Sequence, residues 1–247
     1  MKLQVKAISL LSSQGNRPVQ EDFALVHQER GIFVVADGFG GPAGGAQVSK
    51  IACEAVRDFL MKEAGDLDAT MPFILRSYIS LAGNVLFNAL IHANRKAIQY
   101  NRKKGVHERG GASVLAAFMD EDLVAVANIG NCSAQLYREG SLCELVLPRS
   151  YGRLQNPFAP GIDSPPLTAV GITDDLEPEI TEYKVRTGDW LLLKSDGLSD
   201  SVGEKICEIQ KNSKLNSTPP GESAALCLQI FEEAKSDDNL TATLVQF

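Results

Sequence analysis

Histidine is scarce in this chain. Only His27, His92 and His107 occur in 247 residues, and none stands beside a serine or cysteine in a nucleophile motif. Ser195 lacks the first glycine of a G-x-S-x-G elbow, which argues against covalent triad chemistry. The five cysteines (Cys53, Cys132, Cys143, Cys207 and Cys227) are odd in number and show no C-x-x-C spacing. That speaks against a disulfide framework or a zinc site and fits a reducing cytoplasm. No run approaches the roughly 18 apolar residues of a membrane span, and the first six residues lack the apolar core of a signal peptide. Basic charge is also short: 24 Lys and Arg against 31 Asp and Glu give a net charge of -7. Neither nucleic acid nor an anionic membrane is therefore the obvious partner. With no linker, internal repeat or low-complexity tract, the expectation is one soluble, cytoplasmic domain over residues 1–247.

What the chain does have is carboxylates at the ends of apolar runs. Ile32 to Val35 reads as a stiff, doubly buried strand, Asp37 follows where it should emerge, and Gly38, Gly40 and Gly41 allow close backbone approach. The design returns downstream, where Trp190 to Lys194 leads into Ser195, Asp196 and Gly197. Leu3 to Leu11 and Phe23 to His27 read as strands, and a short hairpin at Gly31 sets Asp22 beside Asp37 in an antiparallel pair. Val48 to Leu60 repeats at helical spacing, and a second helix starts near Thr70 and Pro72 and runs to Leu90. Ser113–Met119, Leu123–Ile129, Ala134–Tyr137 and Leu142–Leu147 read as an antiparallel meander. Residues 148–171 carry five prolines and form an irregular excursion of a length often tied to function. Strands at Glu179–Val185, Trp190–Lys194 and Leu240–Val245, with helices around Val202–Gln210 and Ala224–Ala234, complete an α+β layered pattern with helices outside stacked sheets.

The carboxylates at element boundaries are Glu21 and Asp22, Asp37, Asp196, Asp200, and Asp237 with Asp238. Several aspartates without histidine or thiolate suit a hard cation such as magnesium or manganese. Two carboxylates ~4 Å apart repel by several kcal/mol at an effective dielectric near 20, so if they converge, they converge on metal. Each alone has a plainer reading, since Asp-Gly pairs are favoured turn sequences. Gly38, Gly40 and Ala43 after a strand also mimic a dinucleotide fingerprint. Against it, the acid expected about 20 residues later is missing, because Asp58 lies within helical periodicity.

Taken together, the wording of these pieces resembles the metal-dependent type 2C (PPM) serine/threonine protein phosphatases, in the compact form of the bacterial members. The resemblance runs through Gly15-Asn16-Arg17 with Gln20-Glu21-Asp22, Val34 to Gly41, Gly110 to Val114, Ala127 to Gly130, Leu191 to Asp200, and Asp238 to Thr241. It implies a four-layer α-β-β-α sandwich with two central antiparallel sheets. It further implies hydrolysis of phosphoserine and phosphothreonine by direct attack of a hydroxide bridging two Mn2+ or Mg2+ ions. Asp22, Asp37, the Gly38 carbonyl, Asp196 and Asp238 would hold those ions, with Glu21 in support through water and Arg17 clamping the phosphate. The implied partners are a phosphorylated protein and a cognate serine/threonine kinase, and residues 148–171 take the place of the family's flap.

Two departures from the family pattern bear on chemistry. Phe39 stands where many members carry a histidine, which leaves leaving-group protonation unassigned. Asn131 stands where an aspartate usually contributes, with Asp200, to a third and weaker metal site; a neutral amide binds a divalent cation less well, so that site is expected to be weak or empty. These two residues also motivate the alternative, a catalytically weak or inactive relative that uses the fold as a binding module.

Overall fold

The computed structural model describes residues 3–63, 75–156, 164–234 and 236–247. Strands β1 (Ala7–Ser13), β10 (Leu240–Gln246), β9 (Trp190–Lys194), β6 (Ser133–Arg138) and β7 (Ser141–Val146) form one sheet in that order. Strands β2 (Phe23–His27), β3 (Ile32–Gly40), β4 (Gly110–Asp120), β5 (Leu123–Ile129) and β8 (Glu179–Lys184) form the other. Every neighbouring pair is antiparallel.

The alternation of side chains along each strand explains the stacking. On β3, Ile32, Val34 and Ala36 face helices α1 (Gly44–Glu63) and α2 (Leu81–Asn101). Phe33 and Val35 face the other sheet, where they meet Leu136, Leu191, Leu193 and Val245. The outer face of that second sheet, with Trp190, Leu192 and Leu244, packs on Ile206 of α4 (Val202–Leu215) and Phe231 of α5 (Pro220–Glu233). Three apolar interlayers therefore separate four layers, and the α-β-β-α sandwich is as expected. Ile32 to Val35 are all shut from water; at ~1.5–3 kcal/mol per fully buried side chain, their burial fixes the strand that carries Asp37. Among the described residues, no helix is long and apolar enough to cross a membrane.

Several expected boundaries move, each for a reason outside its own stretch. The first strand lies at Ala7–Ser13 instead of Leu3–Leu11, because it pairs along its length with β10, from Ala7 opposite Gln246 to Ser13 opposite Leu240. The expected meander is broken between β5 and β6, which lie in different sheets, and Gly130 makes the transfer with a φ of 101° that disfavours any side chain. Helix α2 begins at Leu81, and the expected start at Thr70 and Pro72 lies outside the described residues. The Ser80 hydroxyl caps the helix by accepting from the Gly83 N–H at 3.1 Å, and the Glu182 carboxylate from β8 in turn accepts from the Ser80 N–H at 3.0 Å. Helix α4 runs past its expected end at Gln210 to Leu215, and α5 begins four residues before its expected start, at Pro220, and ends at Glu233.

Candidate active site

Asp37 does not stand at the end of its strand. Strand β3 continues through Gly40 and pairs Asp37 with Ser113, Gly38 with Ala112 and Gly40 with Gly110. The extension depends on glycine: a Cβ on Gly38 would run into the backbone carbonyls of Gly45 and Glu21, so only glycine lets α1 and the Glu21 segment close on the strand. Phe23 lies opposite Ala36, which brings Asp22 beside Asp37 as the hairpin reading requires. From the other sheet, Asp196 follows β9 and Asp238 precedes β10, strands that are direct neighbours. Carboxylates from both sheets thus meet at one end of the sandwich.

Their electrostatics show how closely they meet. Asp22 is 5% exposed; its Oδ2 accepts from the Ser195 hydroxyl at 2.8 Å, while Oδ1 is buried without a hydrogen-bond partner. Burial pushes its carboxyl up to about 7, aided by repulsion from Asp196 and Asp238 and opposed by hydrogen bonds from Ser195 and Thr241. Asp37 is raised well above the carboxylate range, first by burial and then by Asp196, Asp22 and Asp238. Glu21 is also raised, because desolvation outweighs the attraction of Arg17.

The outer members of the cluster are turned onto donors. Arg17 Nη2 lies 2.6 Å from Asp238 Oδ2, so the arginine expected to clamp a phosphate here engages an expected metal ligand. Asn131 is buried; its Nδ2 donates to Asp196 Oδ2 at 2.7 Å and its Oδ1 accepts from the Ser113 hydroxyl at 2.5 Å. Asp200 lies 2.7 Å from Lys194 Nζ. With these side chains so occupied, no three among the described residues stand in a finished ligand arrangement. Phe39 lies over Gly111 beside Ile172, a packed ring with no proton to give.

Asn239 is an organising residue that sequence reasoning left without a role. Its Oδ1 accepts from the Glu21 N–H at 2.8 Å, and its Nδ2 donates to the Gln14 and Val19 carbonyls at 2.8 and 3.0 Å. One buried amide thereby ties the segment carrying Arg17 and Glu21 to the strand that follows Asp238. Ser195, in sequence only a member of a motif, bridges the sheets by donating to Asp22 while accepting from the Thr241 N–H at 3.0 Å. The only available signal for both was their place next to an expected ligand.

A cavity of about 560 Å³ borders Asp196 and Asp238 of the cluster and is lined also by Arg17, Asn131, Lys194, Asp200 and Arg153. Arg153 belongs to α3 (Tyr151–Gln155), a short helix inside the expected irregular excursion. That excursion is anchored at one end by the Arg149 N–H donating to the Gly130 carbonyl at 3.0 Å and at the other by Val170 bridging Ala112; residues 157–163 lie outside the described residues. The carboxylates Asp22, Asp37, Asp196 and Asp238 offer oxygen donors, and one of them, Asp22 Oδ1, is buried without a hydrogen-bond partner. In their chemistry they fit a hard divalent cation.

Comparison with known proteins agrees with this geometry. A serine/threonine phosphatase (stp) of Listeria monocytogenes is 25% identical over 227 residues, covering 87% of this chain and 84% of its own length. The serine/threonine protein phosphatase PstP of Mycobacterium tuberculosis is 26% identical over 223 residues, 86% of this chain and 40% of that protein. A crystal structure of PstP superimposes with a TM-score of 0.76 at 21% identity, covering 98% of each chain. Another, of the PstP catalytic domain with 2 manganese ions, gives a TM-score of 0.74 at 22% identity, with 97% of each chain covered. The protein phosphatase 2C family model matches residues 12–244, a span that takes in every carboxylate of the cluster, and the chain belongs to that family.

Proposed function

We propose that residues 1–247 form a single catalytic domain that hydrolyses phosphoserine and phosphothreonine in proteins with the help of two divalent cations, Mn2+ or Mg2+. The observation that carries the reading is the meeting of Asp22, Asp37, Asp196 and Asp238, with Asp22 buried and one of its oxygens unpartnered. Together with the Gly38 carbonyl, those four would hold the ions, and Glu21 would support them through water. When bound, two such cations lower the pKa of water enough to supply a nucleophile near neutral pH and offset charge on the phosphoryl oxygens.

The remaining steps belong to the chain's own side chains. Ser195 and Asn131 aim Asp22 and Asp196 by the hydrogen bonds they donate. Arg17, about half exposed and paired with Asp238, exchanges that carboxylate for two phosphate oxygens, a geometry its planar fork suits. Residues 148–171, whose Arg153 lines the same cavity as Arg17, act in the choice of phosphoprotein. The substrate is a protein phosphorylated by a serine/threonine kinase, and the five free thiols fit a cytoplasmic setting.

Phosphate release from a phosphothreonine peptide, with Mn2+, with Mg2+ and with chelator, tests this directly beside Asp37→Asn. Turnover that needs metal and is lost in the variant supports the reading. A folded protein that binds Mn2+ without turnover refutes it and favours the binding-module alternative.

A further inference from the structure

The Asp196–Asp200 end of the cavity is reached by a cation that the protein itself supplies. Lys194 is the last residue of β9, on the same face as Trp190 and Leu192 by strand alternation. Its side chain is only 5% exposed, against 46% for Asp200. Its Nζ donates to the Leu198 carbonyl at 2.7 Å and lies 2.7 Å from Asp200 Oδ1. An ammonium withdrawn from water is retained only where it is paired, and both partners here come from the loop that also carries Asp196. Lys194 lines the same cavity as Asp196, Asp200 and Asn131. Asn131, in the same lining, donates its amide to Asp196 Oδ2. The two carboxylates that a further cation would have to bridge are therefore each engaged by a donor built into the chain.

Resting on the metal-dependent reading above, we propose that Lys194 provides the positive charge that a third divalent cation would bring between Asp196 and Asp200, and that with Asn131 it keeps this position free of metal. A tethered ammonium is present at any metal concentration, so this end of the cleft stays neutralised when free metal is low. The plainer role, in which Lys194 only closes the loop from Ser195 to Asp200, makes no demand on how many ions the chain binds. The ion count separates the two.

Mn2+ bound per chain is measured by electron paramagnetic resonance of the free ion for wild type, Lys194→Met, Asn131→Asp and the double variant. Methionine keeps an unbranched stem in the buried position and removes the charge. The expected result is two ions for wild type and a third in the double variant, its affinity about tenfold or more above that in either single variant, since ligand charge count sets affinity for hard cations. A third ion in wild type, or none gained in the double variant, overturns the proposal. No ion in wild type sinks the metal-dependent reading, and this inference with it. Should the double variant fail to fold, Asp200→Ala decides. An unchanged ion count with a lowered thermal midpoint supports Lys194 as the partner of that carboxylate, and a count reduced by one overturns it.

Discussion

Replacing Asp22 by asparagine should stabilise the metal-free protein, and by more as the pH rises. The Asp22 carboxyl is pushed up to about 7 from an ordinary 3.8, so the folded state holds a proton that the unfolded chain releases. A raised folded-state value contributes stability that is complete below pH 3.8 and lost as pH climbs through about 7. At ~1.4 kcal/mol per pH unit between the two values, ionisation costs the fold about 1.6 kcal/mol at pH 5 and about 4 kcal/mol at pH 8. Asparagine removes this cost, keeps an oxygen to accept from Ser195, and offers an N–H to the neighbouring carboxylates. The stability difference between Asp22→Asn and wild type should therefore grow by roughly 2–3 kcal/mol from pH 5 to pH 8. Urea unfolding in chelator reads it through Trp190, the single tryptophan, which is buried against α4 and α5. Mn2+ should narrow the difference, raising wild type by ~2.7 kcal/mol at a hundredfold excess over its dissociation constant and leaving the variant almost unmoved. A difference that stays flat or shrinks with pH would refute the reasoning, because the carboxylate would then not be a strained, metal-awaiting charge.

Asn239→Ala deletes three hydrogen bonds that hold the Gln14–Glu21 segment; a loss of about 2–4 kcal/mol and a higher Mn2+ requirement are expected from urea midpoints and metal titration. Arg17→Lys keeps a cation near Asp238 but loses the planar fork, so kcat/KM on a phosphopeptide should fall by about tenfold or more, roughly 1.4 kcal/mol, with thermal stability unchanged. Cys143 is exposed, whereas Cys53, Cys132 and Cys227 are buried and burial raises all three thiols, Cys227 to about 12. A maleimide should thus label Cys143 rapidly in the folded protein and spare those three until denaturant is added.

Much of this was legible where the determining interactions are local. Phe23–His27, Leu123–Ile129 and Trp190–Lys194 emerge with the expected ends, since alternation and flanking turns decide a strand's extent. The glycines after Asp37 read as a turn, which puts Asp37 at a strand end. Gly38 and Gly40 instead continue the strand by pairing with Ala112 and Gly110, which lie far along the chain. The split of the meander likewise depends on which sheet receives β6, a choice made by pairing with β9. The aspartates were legible as a set because their motifs are. What holds them was not: Asn239 and Ser195 act over 173 to 225 residues of sequence, and periodicity carries no trace of such contacts. Lys194 ends an apolar strand, and nothing in its sequence context marks its ammonium as paired with Asp200.

The central claim is that the Asp22, Asp37, Asp196 and Asp238 cluster is a site for two divalent cations. Its most direct test is anomalous diffraction at the manganese edge from crystals grown with Mn2+. The account predicts two peaks bounded by those four carboxylates and the Gly38 carbonyl, with Arg17 released from Asp238 when a phosphate analogue is added. Peaks elsewhere, or none within that cluster at saturating Mn2+, would contradict it.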